Sequence, residues 1–211
     1  TLRLLYNMMP YLHAPEYDVI HCHFGPMGVN TLLIRDLGLI KGPIITTFYG
    51  YDVHRYPPKW NKIGYKPLKA DSGRILALSN QMKKELVELG FEENRIHGHH
   101  LEINCDDFTF QERTLAEGDA PHLLSIARLV PKKGIAVAIK AIALIRNEFP
   151  DIQYHVLGDG DLRPELEALI REHQLEENVF LEGWKTQTEV ISYLKKAHVF
   201  VLPSVTVCDG D

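Results

Sequence analysis

Cysteine is scarce in this sequence, which contains three cysteines among 211 residues. Cys22, Cys105 and Cys208 stand far apart, and no two of them form a CxxC pair. An odd number of scattered cysteines neither builds a disulfide framework nor supplies a paired zinc site. We therefore expect a reducing compartment, the cytoplasm.

Long apolar runs and an excess of positive charge are also missing. No stretch approaches the roughly 18 apolar residues that a membrane-spanning helix needs. The formal net charge of −5 argues against a protein that binds nucleic acid through a broad basic surface. The opening residues, TLRLLYN, lack the pattern of a secretory signal peptide. There is no GxxxxGK[ST] loop, which excludes a P-loop NTPase.

What the sequence has is a regular alternation of short apolar strands with helical patterns. This alternation predicts an α/β protein whose parallel sheets are covered by helices. Residues 51–68 are too rich in proline and aromatic residues for one regular element. The predicted strands are residues 18–24, 44–48, 74–79, 95–100, 122–127, 152–158, 178–183 and 198–203; the predicted helices are residues 2–11 (the end of a helix), 27–37, 80–89, 134–149, a segment capped by Asp161 with Pro164 in its first turn, and 187–197.

A polar stretch divides this pattern in two. Residues 108–120 have no hydrophobic period, which predicts a linker. We therefore expect two Rossmann-like domains, at residues 1–110 and 111–211. Both are expected to be truncated, because the first begins in mid-pattern and the second ends just after a strand.

Three cations crowd one predicted strand-to-helix turn, SIARLVPKKG at residues 125–134. Ligands of parallel sheets bind at the carboxyl ends of strands, where Arg128 stands. Arg128 offers a planar fork to phosphate oxygens and Lys133 a mobile point charge, while Gly134 allows a close turn into a helix N-terminus. These residues alone leave two interpretations open, a solvated loop and an anion site.

A second turn, within VLGDGDLRPEL, contains Gly158 and Gly160. It lacks the third glycine of a dinucleotide-binding fingerprint. We therefore favour a tight turn that brings a helix close to a strand over a cofactor motif.

Histidines alternate on two predicted strands. His21 and His23 stand on the first, and His97, His99 and His100 stand on another. Such spacing can bind a metal, but companion carboxylates and cysteines at zinc-like intervals are missing. We expect no metal site and favour polar groups that line a cleft.

The segment TTFYGYDVH follows a predicted strand and is rich in aromatic residues. Gly50 permits close approach of the backbone. Tyr49, Tyr51 and Asp52 present stacking surface, hydroxyls and a carboxylate at the end of the strand. A substrate site and an aromatic loop packed on the sheet both fit this pattern.

Taken together, these stretches resemble the retaining GT-B glycosyltransferases of family four, the group one glycosyl transferases. SIARLVPKKG is similar to the family's S-x-G-R-L-x-x-x-K-G signature, and LGDGDLRPEL and VFLEGWKTQTEVISYLKKAHVFVLPS are similar to the segments that follow it. HCHFGPMG, TTFYGYDV and LALSNQMKKEL resemble elements of the N-terminal half. The tail PSVTVCDGD resembles that of transferases in colanic-acid and exopolysaccharide synthesis.

The resemblance implies a GT-B fold and the transfer of a sugar, with retained anomeric configuration, in the synthesis of cell-surface polysaccharide. The donor would be a nucleotide-diphosphate sugar and the acceptor a saccharide or a lipid-linked molecule. Arg128 and Lys133 would be the catalytic residues, because they would neutralise the donor diphosphate. The substrate-binding residues that the resemblance implies are Tyr49, Gly50, Asp52 and Ser79 in the first domain, and Gly183, Lys185 and Gln187, near the nucleoside base, in the second.

No cofactor is implied, since the two cations supply the charge that Mg²⁺ supplies in other transferases. Lipid-linked acceptors are frequent in this branch. The resemblance therefore implies a cytoplasmic enzyme with weak peripheral contact at the inner face of the plasma membrane.

Some positions depart from the family's pattern. Tyr49 stands where the family often has histidine, and Ala127 stands where glycine is commoner. The usual Gly-Ile-Asp reads Glu102-Ile103-Asn104 here. The glutamate motif that binds the donor sugar and the N-terminal glycine-rich loop lie outside these residues, so we expect the segment alone to be inactive.

Two alternatives stay open beside the transferase. One is another GT-B enzyme such as a nucleotide-sugar 2-epimerase, against which SIARLVPKKG argues. The other is a non-catalytic protein that binds nucleotide sugars, which the departure at Tyr49 keeps open.

Overall fold

The computed structural model describes residues 16–54, 64–71, 73–116 and 118–206. Its contacts divide the chain into two compact units between Glu102 and Ile103. The predicted domain boundary at 110/111 stays a prediction. The helical end predicted at residues 2–11 lies outside the described residues.

The first unit is a parallel sheet whose four described strands lie side by side in chain order, β1-β2-β3-β4. All three strand pairings are parallel, as the alternating pattern predicts. Its strands are β1 (Ile20–His23), β2 (Ile44–Thr47), β3 (Arg74–Ala77) and β4 (Ile96–Gly98), and its helices are α1 (Gly25–Asp36), α2 (Gly50–His54), α3 (Lys66–Ala70) and α4 (Asn80–Glu88).

Aromatic packing and close helix approach hold the first unit together. The fully buried ring of Phe48 meets the rings of Tyr65 and Phe91 nearly edge-on, at centroid distances of 5.1 and 5.3 Å. A Cβ at Gly28 would come within 2.5 Å of Thr46 Oγ1, so α1 approaches β2 at a distance that a larger residue would prevent. This packing places the start of α1 against the carboxyl end of the sheet.

The second unit is a parallel sheet of strand order β7-β6-β5-β8. The chain steps from β5 to β6 to β7 and then returns to place β8 on the other side of β5. In parallel sheets such a reversal opens a crevice at the carboxyl ends of the strands. Its strands are β5 (His122–Ile126), β6 (Gln153–Leu157), β7 (Val179–Gly183) and β8 (Val199–Phe200), and its helices are α5 (Ile135–Ile145), α6 (Arg163–Glu172) and α7 (Gln187–Lys196).

A buried polar link ties the middle of the second sheet together. The Tyr154 hydroxyl lies 2.7 Å from Ser125 Oγ. The Ser125 hydroxyl in turn donates to the Val201 carbonyl oxygen at 2.6 Å. Burial raises the pKa of Tyr154 to about 12. The link joins β5, β6 and the chain after β8 beneath the edge where the three segments end.

Element boundaries differ from the prediction at several places. The residue before α6 is Leu162, which offers no capping side chain, so Asp161 is not the cap; Pro164 does lie in the first turn. β8 is limited to two residues because it pairs with β5 at only two positions. The segment 51–68 includes the end of α2 and part of α3.

The predicted linker follows the surface of the second unit along part of its length. Arg113 donates from Nε to the Lys195 carbonyl oxygen at 2.7 Å and from Nη1 to the Ala197 carbonyl oxygen at 2.9 Å. Just before the predicted linker, Asp107 Oδ2 lies 3.2 Å from Gln187 Nε2. The segment is held by polar contacts, which explains why it has no hydrophobic period.

Candidate functional site

The carboxyl edge of the second sheet brings four chain segments to one place. Because all its strands are parallel, the turns after β5, β6 and β7 and the chain after β8 leave the sheet on the same side. The cationic turn after β5 lies where the strand order reverses. It is therefore the first candidate for a ligand site.

The cationic turn packs by backbone contact against the chain after β8. Residues 131–133 form a 3₁₀ turn that ends at Gly134, whose φ of 65° lies in the left-handed region. A Cβ at Gly134 would overlap the carbonyl oxygen of Pro203. The Val205 N–H donates to the Lys132 carbonyl oxygen at 2.9 Å, which fastens the two segments together.

Two glycines of the next turn hold the cationic turn from its other side. A Cβ at Gly158 would overlap the carbonyl oxygen of Ala127, and one at Gly160 would come within 2.5 Å of that of Leu129. The Leu129 N–H donates to the Asp159 carbonyl oxygen at 3.0 Å. This geometry supports the tight-turn interpretation of these glycines, because they allow two turns to touch.

The cationic turn presents two positive side chains at this edge. The side chain of Arg128 is exposed and that of Lys133 is half-buried. Across the described part of the chain, neither forms a hydrogen bond or an ion pair. The N-terminus of α5 follows directly and adds the partial positive charge of its backbone N–H groups. The arrangement can hold an anion with several oxygens, such as a diphosphate.

The turn after β7 contains the predicted Gly183 and Lys185. Gly183 has a φ of 74°, and its carbonyl oxygen accepts the Gly158 N–H at 2.7 Å. Lys185 Nζ lies 3.6 Å from Glu182 Oε2, and Glu182 Oε1 lies 2.9 Å from His155 Nδ1. Burial by itself would raise the pKa of Glu182, but the hydrogen bond with His155 and the charge of Lys185 leave it lowered. Sequence reasoning missed Glu182, which holds Lys185 in place.

Gln187 is the first residue of α7, and Thr186 caps that helix in a capping box with Glu189. The Gln187 side-chain amide is already bonded to Asp107, as described above. A nucleoside that used this amide would have to share it with Asp107 or displace it.

In the first unit, Asp52 supports the predicted loop from beneath. It is fully buried, and its two carboxylate oxygens accept the backbone N–H groups of Gly25 at 2.6 Å and Tyr49 at 2.7 Å. Burial raises the pKa of Asp52 although these two hydrogen bonds act in the opposite direction. Asp52 therefore does not contact a ligand at the surface directly; it fixes the positions of the two turns to which it is bonded. Gly50 is the first residue of α2.

Tyr49 lies at the exposed edge with a histidine partner that the sequence did not reveal. Its hydroxyl lies 2.7 Å from His23 Nδ1. The ring of His21 is 4.4 Å from that of His23, and His21 Nε2 lies 2.7 Å from Thr47 Oγ1. Burial lowers the pKa of His21, and the neighbouring His23 and His99 lower it further, which favours the neutral imidazole.

Phe24 connects β1 to α1 in a backbone conformation that is rare for a residue with a side chain. Its φ is 73° and its ψ is 138°, and such conformations cost about 1–3 kcal/mol. Its ring packs against that of Tyr49 in a tilted arrangement, at a centroid distance of 4.6 Å. The predicted Ser79 has a different task, since its Oγ caps α4 by accepting the Met82 N–H at 3.1 Å.

The predicted residues thus form two groups, one on each unit. Tyr49, Gly50 and Asp52 come together in the first unit, whereas Ser79 follows β3 on the same sheet. Arg128 and Lys133 share one turn in the second. No group of three histidine, cysteine or acidic side chains within the described ranges is placed to hold a metal ion. None of the helices described here is long and apolar enough to cross a membrane.

Two family models match the chain in succession. Residues 1–106 match the model described as Glycosyltransferase Family 4. Residues 106–209 match the model described as Glycosyl transferases group 1. Together the two matches cover residues 1–209.

Curated relatives are similar over most of the chain. The amylovoran biosynthesis glycosyltransferase AmsK of Erwinia amylovora is 33% identical over 199 residues, which are 92% of this chain and 48% of that protein. The putative colanic acid biosynthesis glycosyltransferase WcaL of Escherichia coli strain K12 is 34% identical over 201 residues, again 92% of this chain and 48% of that protein. The chain therefore spans about half the length of the curated relatives it matches.

Two solved structures share the fold of this chain at low sequence identity. The crystal structure of Anabaena Alr3699/HepE in complex with UDP aligns with a TM-score of 0.72 at 13% identity, over 97% of this chain and 57% of that chain. The apo form of the lipopolysaccharide outer core galactosyltransferase WaaB aligns with a TM-score of 0.65 at 17% identity, over 96% of this chain and 54% of that chain. Both likenesses concern the fold.

Replacing Gly134 with alanine is expected to destabilise the second unit. The left-handed conformation alone costs a residue with a side chain about 1–3 kcal/mol, and overlap with Pro203 adds to this. Gly38 is the matched control, because its φ is 75° and nothing lies within 4 Å of a Cβ built there. Urea denaturation should show a larger loss of unfolding free energy for Gly134→Ala than for Gly38→Ala. Equal losses would contradict the packing of the cationic turn.

Replacing Asp52 with asparagine is expected to lower the unfolding free energy by about 1–3 kcal/mol, because one of the two backbone N–H groups loses its acceptor. The folded-state pKa of Asp52 is raised above its usual 3.8. Its contribution to stability is therefore complete below pH 3.8 and declines as the pH rises through the folded-state pKa.

The difference between the parent and Asp52→Asn in urea denaturation should accordingly be larger near pH 4 than at pH 7. Asp18→Asn serves as the control, because Asp18 is exposed. If the difference in unfolding free energy between the parent and Asp52→Asn grew as the pH rises, the pKa of Asp52 would be lowered in the folded state and not raised.

Proposed function

This chain belongs to glycosyltransferase family 4 and has the GT-B fold, and from this membership we propose that the protein containing it is a retaining glycosyltransferase. It moves a sugar from a nucleotide-diphosphate sugar to a saccharide or lipid-linked acceptor in the synthesis of cell-surface polysaccharide. The observation that carries the proposal is the pair Arg128 and Lys133, two positive side chains without a protein partner among the described residues, at the reversal point of the second sheet.

The chemistry requires charge at the position of the leaving group. As the bond between the anomeric carbon and the diphosphate oxygen breaks, negative charge grows on that oxygen. The planar fork of Arg128 suits two diphosphate oxygens at once, and Lys133 adds a mobile positive charge. Groups held ready in this way stabilise the developing charge more than the bound substrate, which lowers the barrier.

The two cations act without a metal in this proposal. They supply the neutralisation that a divalent ion provides in other transferases. The acceptor hydroxyl forms the new bond to the anomeric carbon on the face that the diphosphate leaves and gives its proton to the departing diphosphate oxygen, so the configuration is retained.

The nucleoside would lie along the turn after β7, near Gly183, Lys185 and Gln187. This turn supports the proposal because it leaves the sheet on the same side as the cationic turn. Lys185 is kept near the edge by Glu182. The solved complex of HepE contains UDP, and by analogy a nucleoside diphosphate is the donor portion to test first.

The acceptor side of the reaction would use Tyr49, Gly50 and Ser79 of the first unit, with Asp52 holding the loop. We also propose a cytoplasmic location, with weak peripheral contact at the inner face of the plasma membrane. The scattered cysteines support the cytoplasmic location, and the membrane contact is what the family resemblance implies.

The double variant Arg128→Ala, Lys133→Ala in the full-length protein tests this function. A panel of nucleoside diphosphates should raise the Tm of the parent, and the double variant should lose the shift. Transfer should fall by about 10²–10³-fold or more, as expected when a group that stabilises developing charge is removed. Lys140→Ala is the control, because Lys140 is an exposed cation on the same helix that follows the turn. A double variant stabilised as well as the parent would place the donor elsewhere.

A further inference from the structure

Phe24 has an energetic cost that packing does not explain. Its backbone lies in a region that glycine adopts readily, and Gln174, with a φ of 54°, is the other non-glycine residue with positive φ in the described ranges. Glycine does follow at position 25, where a Cβ would collide with the rings of Phe48 and Tyr65. At position 24 the chain instead carries a phenylalanine. Strained residues of this kind are concentrated at functional sites.

The ring of Phe24 contributes little to the core. It is 43% exposed and is not part of the buried cluster of the first unit. One side of the ring contacts Tyr49, at a centroid distance of 4.6 Å and an interplanar angle of 39°. The ring pair therefore presents aromatic surface to solvent at the carboxyl edge of the first sheet.

Polar side chains lie around this pair. His23 is bonded to the Tyr49 hydroxyl, and His21 lies against His23. The nearby carboxylate of Asp52 is buried and accepts two backbone N–H groups, so it adds no exposed charge. A cavity of about 570 Å³, lined by His21, His23 and Met27 among others, opens beside the same strand.

We propose that Phe24 and Tyr49 form an aromatic platform on which a neutral pyranose ring of the acceptor stacks. The inference deepens the proposed function and rests on it. One face of a pyranose carries C–H bonds with slight positive charge, which the negative face of an aromatic ring attracts. Its hydroxyls lie at the ring edge, where imidazole nitrogens and the Tyr49 hydroxyl can exchange hydrogen bonds with them. The two rings, the imidazoles and the hydroxyl therefore offer stacking surface and hydrogen bonds, while the Asp52 carboxylate is buried away from the ligand.

The unusual backbone conformation of Phe24 makes it possible to distinguish a binding role of the ring from a structural one by mutation. If the ring served mainly to hold Tyr49, Phe24→Gly would destabilise the protein. If the ring is a platform, Phe24→Gly relieves the backbone conformation, so stability is kept or gained while binding is lost. Gln174→Gly is the matched control for the relief of the backbone, because Gln174 is exposed at the end of α6.

The experiment measures acceptor and donor kinetics and Tm in the full-length protein. For Phe24→Gly we expect an unchanged or higher Tm, an acceptor KM raised about five- to tenfold, as the loss of one aromatic contact predicts, and an unchanged donor KM. Phe24→Trp should keep a low acceptor KM, and Tyr49→Phe should lose only the hydroxyl contribution. Gln174→Gly should change neither KM. An unchanged acceptor KM for Phe24→Gly, or a clear fall in its Tm, would overturn the inference.

A second measurement does not depend on turnover. Saturation-transfer NMR with methyl β-D-glucopyranoside and methyl β-D-galactopyranoside should give signals with the parent that weaken with Phe24→Gly. Should the parent show these Phe24-dependent signals but no transfer from any nucleotide sugar, the proposed function would fail and the saccharide site would stand. Should transfer occur while the signals ignore Phe24, the platform would fail and the proposed function would stand.

Discussion

Direct contact between backbone turns is the constraint on which the second unit depends. The cationic turn lies between Gly158 and Gly160 on one side and Pro203 on the other, and the closest approach on both sides is to a backbone carbonyl oxygen. This packing determines the positions from which the side chains of Arg128 and Lys133 project. Because the turn is held by its own main chain, Arg128 and Lys133 are not needed to stabilise it and are left available for a ligand.

The carboxyl edges of the two sheets differ in the electrostatic character of the side chains that they expose. The second unit exposes positive charge that no described side chain neutralises. The first unit exposes aromatic rings, imidazoles and a hydroxyl, and it buries the carboxylate of Asp52 beneath two backbone donors. This division suits the proposed reaction, in which one substrate carries a diphosphate and the other offers a sugar hydroxyl. Each unit has an energetic cost at its edge. In the second unit the charge of Arg128 is unpaired among the described residues, and in the first the backbone of Phe24 adopts an unfavourable conformation.

Local patterns were sufficient to predict most of the fold. Strands buried on both faces read as short apolar runs, and helices between them require parallel pairing, so the α/β class and most elements followed from spacing. The cationic turn could also be found, because Arg128 and Lys133 lie five positions apart and both follow one strand. Predictions that depended on a single side chain fared worse. Asp161 does not cap α6, since the chain makes one more residue of turn before the helix begins.

The alternation of strands and helices, the glycines that permit close turns and the cations that follow β5 could all be predicted from local patterns. Each of these features is a property of neighbouring residues. Three contacts became visible only in the fold: His23 lies against Tyr49, Asp52 accepts hydrogen bonds from two turns, and Gln187 contacts Asp107. Their partners lie 26, 27 and 3, and 80 positions away. Most of these contacts join segments that are far apart along the chain, and the spacing of residues carries no record of which side chains the folding of each unit will bring together.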